Sequence, residues 1–153
     1  MTTVLKYGKS VNPVFRQATN YGFGMVAKHC GARFPDYKDP ILDVLKFAID
    51  MPVGSQDVTE FNHSRDNAIS SVGRILWHQC QHVEFEQLFE FWFALLPLQH
   101  DLEEGKESLE LLTEMLTSNT QVVLGVNGER MAHMLKVLGQ TYGKNWMRKE
   151  TMS

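Results

Sequence analysis

The chain has 153 residues, of which 43% are hydrophobic and 22% are charged, and its formal net charge is −3. This composition is typical of a globular protein and argues against a disordered chain, while the small negative charge argues against nucleic acid as the main partner. The longest apolar run, FWFALLPL, is shorter than the ~18 residues of a membrane-spanning helix.

Apolar residues recur at steps of three and four along most of the chain, which places them on single faces of amphipathic helices. The pattern predicts helices over residues 14–30, 39–50, 64–80, 83–96, 102–118 and 127–142. Asp39 is the predicted N-cap of the second helix, with Pro40 at the first helical position, and Ser64 is predicted to cap the third.

Two connecting segments need a separate interpretation. QVVLGV, residues 121–126, has the β propensity of a strand but is short and has no partner run, so we interpret it as a packed loop. MPVGSQDVTEFNHS, residues 51–64, is the longest polar connector. It is either an ordered insertion that touches a partner or a mobile loop without a role.

The predicted helices align with one another when the chain is shifted by a near-constant step. Odd-numbered helices align at steps of 49 and 40, which gives the columns Val26, Ile75, Met115 and Phe23, Val72, Leu112. Even-numbered helices align at steps of 47 and 43, which gives the columns Ile41, Leu88, Met131; Leu45, Trp92, Leu135; and Ala48, Leu95, Leu138. Two-helix units of about 40–47 residues are the period of HEAT-type repeats, whose neighbours bury a shared apolar face.

We therefore predict an all-α fold, an α-α superhelix of about three HEAT-type helical hairpins that forms a single solenoid segment. The predicted repeat units are residues 12–51, 63–98 and 101–143, and residues 144–153 are the start of a further helix or a tail. An irregular helical bundle is the alternative, because bundles also consist of amphipathic helices.

Several stretches, in a fixed order, carry a resemblance to a known family. They are RQATNYGFG at 16–24, RDNAISSVGRIL at 65–76, FEQLFEFWFALLPLQHDLEEGKESLELLTEML at 85–116 and SNTQVVLGVNGERMAHMLKVLG at 118–139. They resemble the late HEAT repeats of importin-beta-like karyopherins, the nuclear transport receptors, and most closely the importin five group. The matching positions are Asn67, Ile69, Ser70, Val72, Gly73, Arg74, Trp92, Leu96, Pro97, Leu98, Asp101, Val123, Leu124, Gly125 and Asn127.

The resemblance covers roughly residues 11–143 and implies a piece of a much longer import receptor, from its C-terminal repeats. Such a receptor binds its partners without catalysis and without a cofactor. The implied partners are cargo proteins with basic signals, Ran-GTP and nucleoporin repeats, and the implied localisation is shuttling between cytoplasm and nucleus. We expect no membrane and no direct nucleic-acid partner. A non-transport HEAT-repeat scaffold subunit is the alternative.

In karyopherins the second helix of each hairpin lines the concave face, which receives Ran or basic cargo. If that holds here, carboxylates beside the core stripe form a ladder, about 10 Å apart, that attracts Lys/Arg-rich segments. The candidate binding residues are Asp39, Asp43, Glu86, Glu90, Glu129 and His133. An ordinary solvated face is the alternative for each of them. Phe89 and Phe93 are expected to be buried rather than to serve as exposed contact points.

The sequence has few candidate catalytic or metal-binding residues. His78 and His82 lie four apart at a helix end with Cys80 between them, but a structural zinc needs four ligands and the sequence offers no second cluster. His29 and Cys30 are adjacent on a helix, so their side chains diverge. The carboxylates interpreted as a solvated helix face are Glu103, Glu104, Glu107 and Glu110. We expect no enzyme, with a small metal-dependent helical enzyme as the rival, and an intracellular chain with two buried free thiols.

Overall fold

The computed structural model describes residues 1–53 and 57–142. These residues form an all-α, HEAT-like arrangement without a strand, so the predicted fold class is confirmed. The helices are α1 (Thr2–Gly8), α2 (Pro13–His29), α3 (Lys38–Asp50), α4 (Val58–His78), α5 (Phe85–Ala94), α6 (Leu102–Ser118), α7 (Thr120–Leu124) and α8 (Met131–Tyr142), with 3₁₀ turns at Gly31–Asp36 and Cys80–His82. Across these ranges, every helix is too short or too polar to cross a bilayer.

Helix α4 is the centre of the structure. It packs against α2 on one side and α6 on the other, and α3 and α5 also pack against it. Residues 66–76 of α4 are all buried as a consequence. The core joins Phe23 of α2, Val72 of α4 and Leu112 of α6, which is one of the columns that the sequence repeat predicts. The first helices of successive hairpins therefore share their apolar faces.

Small residues let α2 and α4 approach closely. A Cβ added at Gly24 would lie 2.6 Å from Ser71 Oγ, which is closer than atoms can pack without a shift. Ser71 Oγ donates a 2.6 Å hydrogen bond to the Asn20 carbonyl oxygen, and Gln79 Nε2 donates to the Ala27 carbonyl oxygen at 2.7 Å. Buried side chains thus bond to the backbone of the neighbouring helix, which fixes the stacking of the two helices.

Two predicted helix starts are wrong. Asp39 lies in the first turn of α3 rather than at its N-cap, where Tyr37 stands. Ser64 is buried inside α4, and the cap of that helix is Asp57, whose Oδ1 accepts from Glu60 N at 3.0 Å. Half of the supposed connector 51–64, residues 58–64, is therefore the first turns of α4, and its residues 54–56 lie outside the described residues.

The helical content exceeds the prediction at two further places. Thr120–Leu124 form the short helix α7, because Asn119 Oδ1 accepts from Val122 N at 3.2 Å and caps it. The prediction of a loop is wrong here, although Val123 is buried. Helix α1 was not predicted, and it packs on α2 and α3.

The repeat alignment fails in α8. Its buried residues are Met134, Val137 and Thr141, whereas Met131 and Leu135, which the step of 43 assigned to the core, are exposed. A step of 46 from α5 to α8 pairs buried positions instead, since it aligns the buried Leu88 of α5 with Met134. The division into units 12–51, 63–98 and 101–143 stays a prediction, and residues 144–153 lie outside the described residues.

Candidate protein-binding face on the second helices

Glu86 and Glu90 lie one turn apart on α5 and share one cation. The Arg130 Nη2 atom, from the turn before α8, donates to Glu86 Oε1 and, at 2.8 Å, to Glu90 Oε1. The two glutamate side chains are 62% and 63% exposed, but that of Arg130 is only 11% exposed. The acidic pair therefore faces solvent while its cation lies beneath it.

The position of Arg130 is fixed from several directions. Its Nη1 donates to the Val122 carbonyl oxygen at 2.7 Å, and its guanidinium lies 5.4 Å from the centroid of the Phe89 ring. The hydrogen bond to Glu86 raises the pKa of Arg130, with a further contribution from Glu90, so the group stays charged. Phe89 and Phe93 are buried, as expected, and their rings stack at 5.4 Å.

Asp43 of α3 also contacts a cation from another segment, but through a single ion pair. Lys9 Nζ lies 2.6 Å from Asp43 Oδ2 and 5.5 Å from the centroid of the Phe47 ring. Both members of the pair are well exposed. A cation from a neighbouring segment therefore already contacts the carboxylates at Asp43 as well as those on α5.

Asp39 is exposed and borders a groove between α3 and α5 with a volume of about 370 Å³. Lys46 crosses this groove, with its Nζ 5.9 Å from the Phe91 ring centroid. Lys38 Nζ lies 3.5 Å from Asp39 Oδ1. The groove thus has both signs of charge, and its apolar lining includes Leu42, Leu88 and Phe91.

Glu129 and His133 have local roles that spacing did not predict. Glu129 lies in the turn before α8, and its Oε2 accepts from Asn127 N at 3.1 Å; backbone hydrogen bonds lower the pKa of Glu129. His133 is half-buried, with Nε2 2.8 Å from the Phe93 carbonyl oxygen and its ring edge-on to Phe93 at 4.6 Å. Because a carbonyl oxygen only accepts, Nε2 is the protonated nitrogen.

The structure therefore brings together part of the predicted set. Glu86 and Glu90 form one cluster, His133 reaches the backbone of the same helix α5, and Asp39 and Asp43 are separate positions on α3. With the step of 46, Glu86 and Glu90 align with Ala132 and Lys136 of α8, so the acidic columns do not continue there. The whole set as a protein-binding site stays a prediction.

The predicted pair His78 and His82 does not share a helix. Helix α4 ends at His78, and His82 lies in the 3₁₀ turn that follows. Burial lowers the pKa of His78. Within residues 1–53 and 57–142, no group of three or more His, Cys, Asp or Glu side chains is placed to hold a metal ion. Cys30 is half-buried and Cys80 is exposed, so the prediction of two buried thiols is wrong for Cys80.

A buried ion cluster joins three helices, and sequence reasoning missed it. Arg74 of α4 is fully buried; its Nε and Nη2 donate to the two oxygens of Glu107 at 2.8 and 2.7 Å, and Nη2 lies 2.9 Å from Glu104 Oε2. The guanidinium lies 5.1 Å from the Tyr21 ring centroid of α2. Arg74 lowers the pKa of Glu107, whereas burial raises the pKa of Glu104.

This cluster corrects the interpretation of α6. The solvated face predicted for its carboxylates is wrong for Glu104, which is buried, and incomplete for Glu107, which is half-buried on Arg74. Glu103 and Glu110 are exposed, as predicted. The only available sequence signal was an arginine in an otherwise apolar and small-residue stretch, SSVGRIL.

Two known proteins are similar to most of this chain. The "Importin subunit beta-3" of Saccharomyces cerevisiae is 28% identical over 109 residues, which is 71% of this chain and 10% of that protein. The "Probable importin-5 homolog" of Dictyostelium discoideum is 30% identical over 121 residues, which is 74% of this chain and 11% of that protein. The chain thus spans about a tenth of the length of these relatives. No protein-family model matches it.

Proposed function

Because the chain is an importin-beta-like segment, we propose that it is part of a nuclear import receptor that binds cargo proteins with basic signals and Ran-GTP without catalysis. The observation that carries this proposal is the similarity to two importins over more than two thirds of the chain. The all-α, HEAT-like arrangement of the described helices agrees with it. Proteins of this architecture bind through extended surfaces formed by successive repeats.

The proposed binding surface is the face formed by Glu86 and Glu90 on α5, extended toward Asp39 and Asp43 on α3 and toward Glu129 and His133 beside α8. This would be the concave face of the receptor. Its support is physical: the two α5 carboxylates are largely exposed, and each has a second oxygen, Oε2, beyond the one that Arg130 occupies. A lysine or arginine of a partner can hydrogen-bond to those outer oxygens.

Other partners belong to the receptor as a whole. Nucleoporin repeats and shuttling between cytoplasm and nucleus follow from the same proposal, because an import receptor has to cross the pore with its cargo and return. The alternative is a HEAT-repeat scaffold subunit outside transport. The two alternatives differ in their response to Ran, since only a transport receptor needs to distinguish Ran-GTP from Ran-GDP.

Binding of a short fluorescent Lys/Arg-rich peptide tests the proposed surface. We expect binding at low salt that weakens as salt rises, because exposed charges are screened within about 8–10 Å at physiological ionic strength. The double variant Glu86→Lys, Glu90→Lys should weaken binding about tenfold or more, since it replaces attraction with repulsion. Glu103→Lys, Glu110→Lys on α6 is the matched control and should retain most of the binding.

The Glu103→Lys, Glu110→Lys control separates an effect of the α5 surface from an effect of net charge on peptide affinity. Equal losses in the two double variants would show that the peptide responds to net charge alone, which contradicts a specific surface on α5. Circular dichroism must show the same helicity in all the proteins. A parallel pull-down with Ran-GTP and Ran-GDP separates the receptor from the scaffold: a preference for Ran-GTP supports the receptor, and retention of neither form favours the scaffold.

A further inference from the structure

The guanidinium of Arg130 sits where a basic partner would be expected to bind. Two carboxylates contact its Nη2, and its Cζ atom lies over the Phe89 ring, 5.4 Å from the ring centroid. A pair of acidic side chains with an aromatic ring is the arrangement that recognises an arginine, because a guanidinium is planar, has five donors and stacks on aromatic faces. Here the arginine is supplied by the same chain.

We propose that Arg130 is an internal competitor, an autoinhibitory contact that fills the position an arginine of a basic partner takes at Glu86 and Glu90. This inference rests on the proposed function of the α5 surface and adds a regulatory element to it. Binding of the partner then exchanges one arginine for another. The same surface without Arg130 binds basic segments more tightly than the wild-type surface does.

The turn that carries Arg130 is held by its backbone, which allows the side chain to leave. Arg130 N donates to the Leu124 carbonyl oxygen at 3.0 Å, and Met134 N donates to the Arg130 carbonyl oxygen at 3.0 Å. Gly125 and Gly128 adopt positive φ angles of 80° and 70°, which shape the turn independently of the arginine side chain. Release of the guanidinium therefore breaks side-chain contacts while these backbone contacts stay in place.

The strength of the contact suits a reversible competitor. The carboxylates are more than 60% exposed, so solvent screens their attraction for Arg130. The Arg130 side chain itself is only 11% exposed, and its Nη1 also bonds to the Val122 carbonyl oxygen, so its release breaks that bond as well. An equilibrium contact of this kind lowers the apparent affinity of an outside ligand by about three- to fivefold, since the ligand binds only the fraction of molecules in which the site is open. Such a contact tunes affinity without abolishing binding.

The geometry of the site also favours arginine over lysine in the partner. Lysine is a compact charge without a planar face, so it gains less than arginine from the Phe89 ring and from two carboxylates placed around one group. We therefore expect an arginine-rich peptide to bind more tightly than a lysine-rich peptide of the same length and charge. The difference should become larger in Arg130→Ala, where the site is open.

The experiment compares Arg130→Ala with the wild-type chain in peptide binding at physiological ionic strength. The matched control is Lys136→Ala, which removes one exposed positive charge from α8. The ion pairs of Glu86 and Glu90 are with Arg130 and not with Lys136. We expect Arg130→Ala to bind the arginine-rich peptide about three- to fivefold more tightly than the wild type. Lys136→Ala should change the affinity less than twofold, because its effect is only long-range.

Several results would overturn the inference. Equal gains in Arg130→Ala and Lys136→Ala would assign the effect to net charge. Unchanged or weaker binding in Arg130→Ala, while Glu86→Lys, Glu90→Lys still weakens the wild type, would leave the proposed function intact and remove the competitor. Absence of peptide binding in the wild type and in Arg130→Ala would instead remove the proposed surface, and the competitor with it.

A second measurement does not depend on the variant folding. In wild-type chain labelled with ¹⁵N, the Arg130 Nε–H signal reports the environment of the guanidinium. Titration with the arginine-rich peptide should move this signal toward the position of a free arginine, because the side chain is displaced from the carboxylates. A peptide that binds and leaves the Arg130 signal unmoved would contradict the inference.

Discussion

At the scale of single residues, two glycines that align in the sequence repeat are required for different reasons. Gly24 of α2 leaves room for Ser71 and for the buried Arg74 on the facing helix α4. Gly73 of α4 leaves room for the ring of Trp92 on α5, which is fully buried. The first glycine therefore serves packing between hairpins, and the second serves packing within one hairpin.

Replacement of Gly73 by alanine should destabilise the protein. The new Cβ would lie 2.7 Å from a carbon of the Trp92 ring, and a fully buried ring cannot move aside freely. Overpacking of this kind costs about 1–3 kcal/mol and outweighs the gain of roughly 1 kcal/mol in helix propensity. Urea unfolding, followed by circular dichroism, measures the change in free energy of unfolding.

The control for this prediction is Gly22→Ala in α2, where an added Cβ meets no atom within 4 Å. This variant should gain roughly 0.5–1 kcal/mol from helix propensity alone. A Gly73→Ala protein that is as stable as Gly22→Ala would show that α4 and α5 do not approach as closely as described.

Single residues also mark the limit of what the sequence could predict. Arg74 was identified as part of a family motif, but its partners Glu104 and Glu107 lie 30 or more residues away on another helix. The spacing of apolar residues gives the faces of one helix but not its neighbours. For this reason both glutamates were predicted to lie on a solvated face. Which helix packs against α4, and in which register, is settled only by the tertiary contacts.

At the scale of helices, the N-terminus of α6 is tied to α4 by a small network of polar side chains. Asp66 Oδ2 accepts from His100 N and Asp101 N, both at 2.8 Å, and Asn67 Nδ2 donates to Asp101 Oδ2 at 2.9 Å. Asp101 Oδ1 caps α6 by accepting from Glu104 N at 3.2 Å. Burial raises the pKa of Asp66, although both N–H bonds oppose that shift.

Asp101→Ala should cost more than the loss of an ordinary helix cap. A cap alone contributes about 1 kcal/mol, and Asp101 also accepts the hydrogen bond from Asn67, which joins α6 to α4. We expect a loss of about 2 kcal/mol in the free energy of unfolding. The control Asn12→Ala removes only the cap of α2, in which Asn12 Oδ1 accepts from Val14 N at 2.9 Å, and should cost about 1 kcal/mol.

A double-mutant cycle with Asn67→Ala isolates the connection between the helices. Residues in one hydrogen-bond network normally show a coupling energy of about 0.5 kcal/mol or more. If the changes in the free energy of unfolding for Asp101→Ala and Asn67→Ala simply add, their hydrogen bond makes no direct contribution. Equal costs for Asp101→Ala and Asn12→Ala would lead to the same conclusion.

Helix positions were predicted best where apolar spacing and a stop signal coincide. The range 102–118 matches α6, and 39–50 differs from α3 by one residue. The start of α4 was missed because its first turns are mostly polar and contain a single buried apolar residue, Phe61, so they carry little apolar period. Helix α7 was missed because its valines favour strands, whereas Asn119 caps a helix there. The register of α8 failed because a constant step is only approximate in HEAT-type repeats.

At the scale of the whole molecule, the first helices α2, α4 and α6 form the buried stack, and the second helices α3 and α5 carry the exposed Asp39, Asp43, Glu86 and Glu90. The proposed function places a protein-binding surface on these second helices. What the sequence could not predict is that Lys9 and Arg130 already contact the carboxylates of this surface, because both contacts join segments 34 or more residues apart.

The measurement that tests the central claim most directly is a map of amide chemical shifts as the ¹⁵N-labelled chain is titrated with an arginine-rich peptide. The account predicts that the changes concentrate on α5 and on the turn that carries Arg130, with smaller changes on α3 near Asp43. Two results would contradict a binding surface on the second helices. One is shift changes confined to α2 and α6, and the other is unchanged amide shifts throughout α5 at saturating peptide.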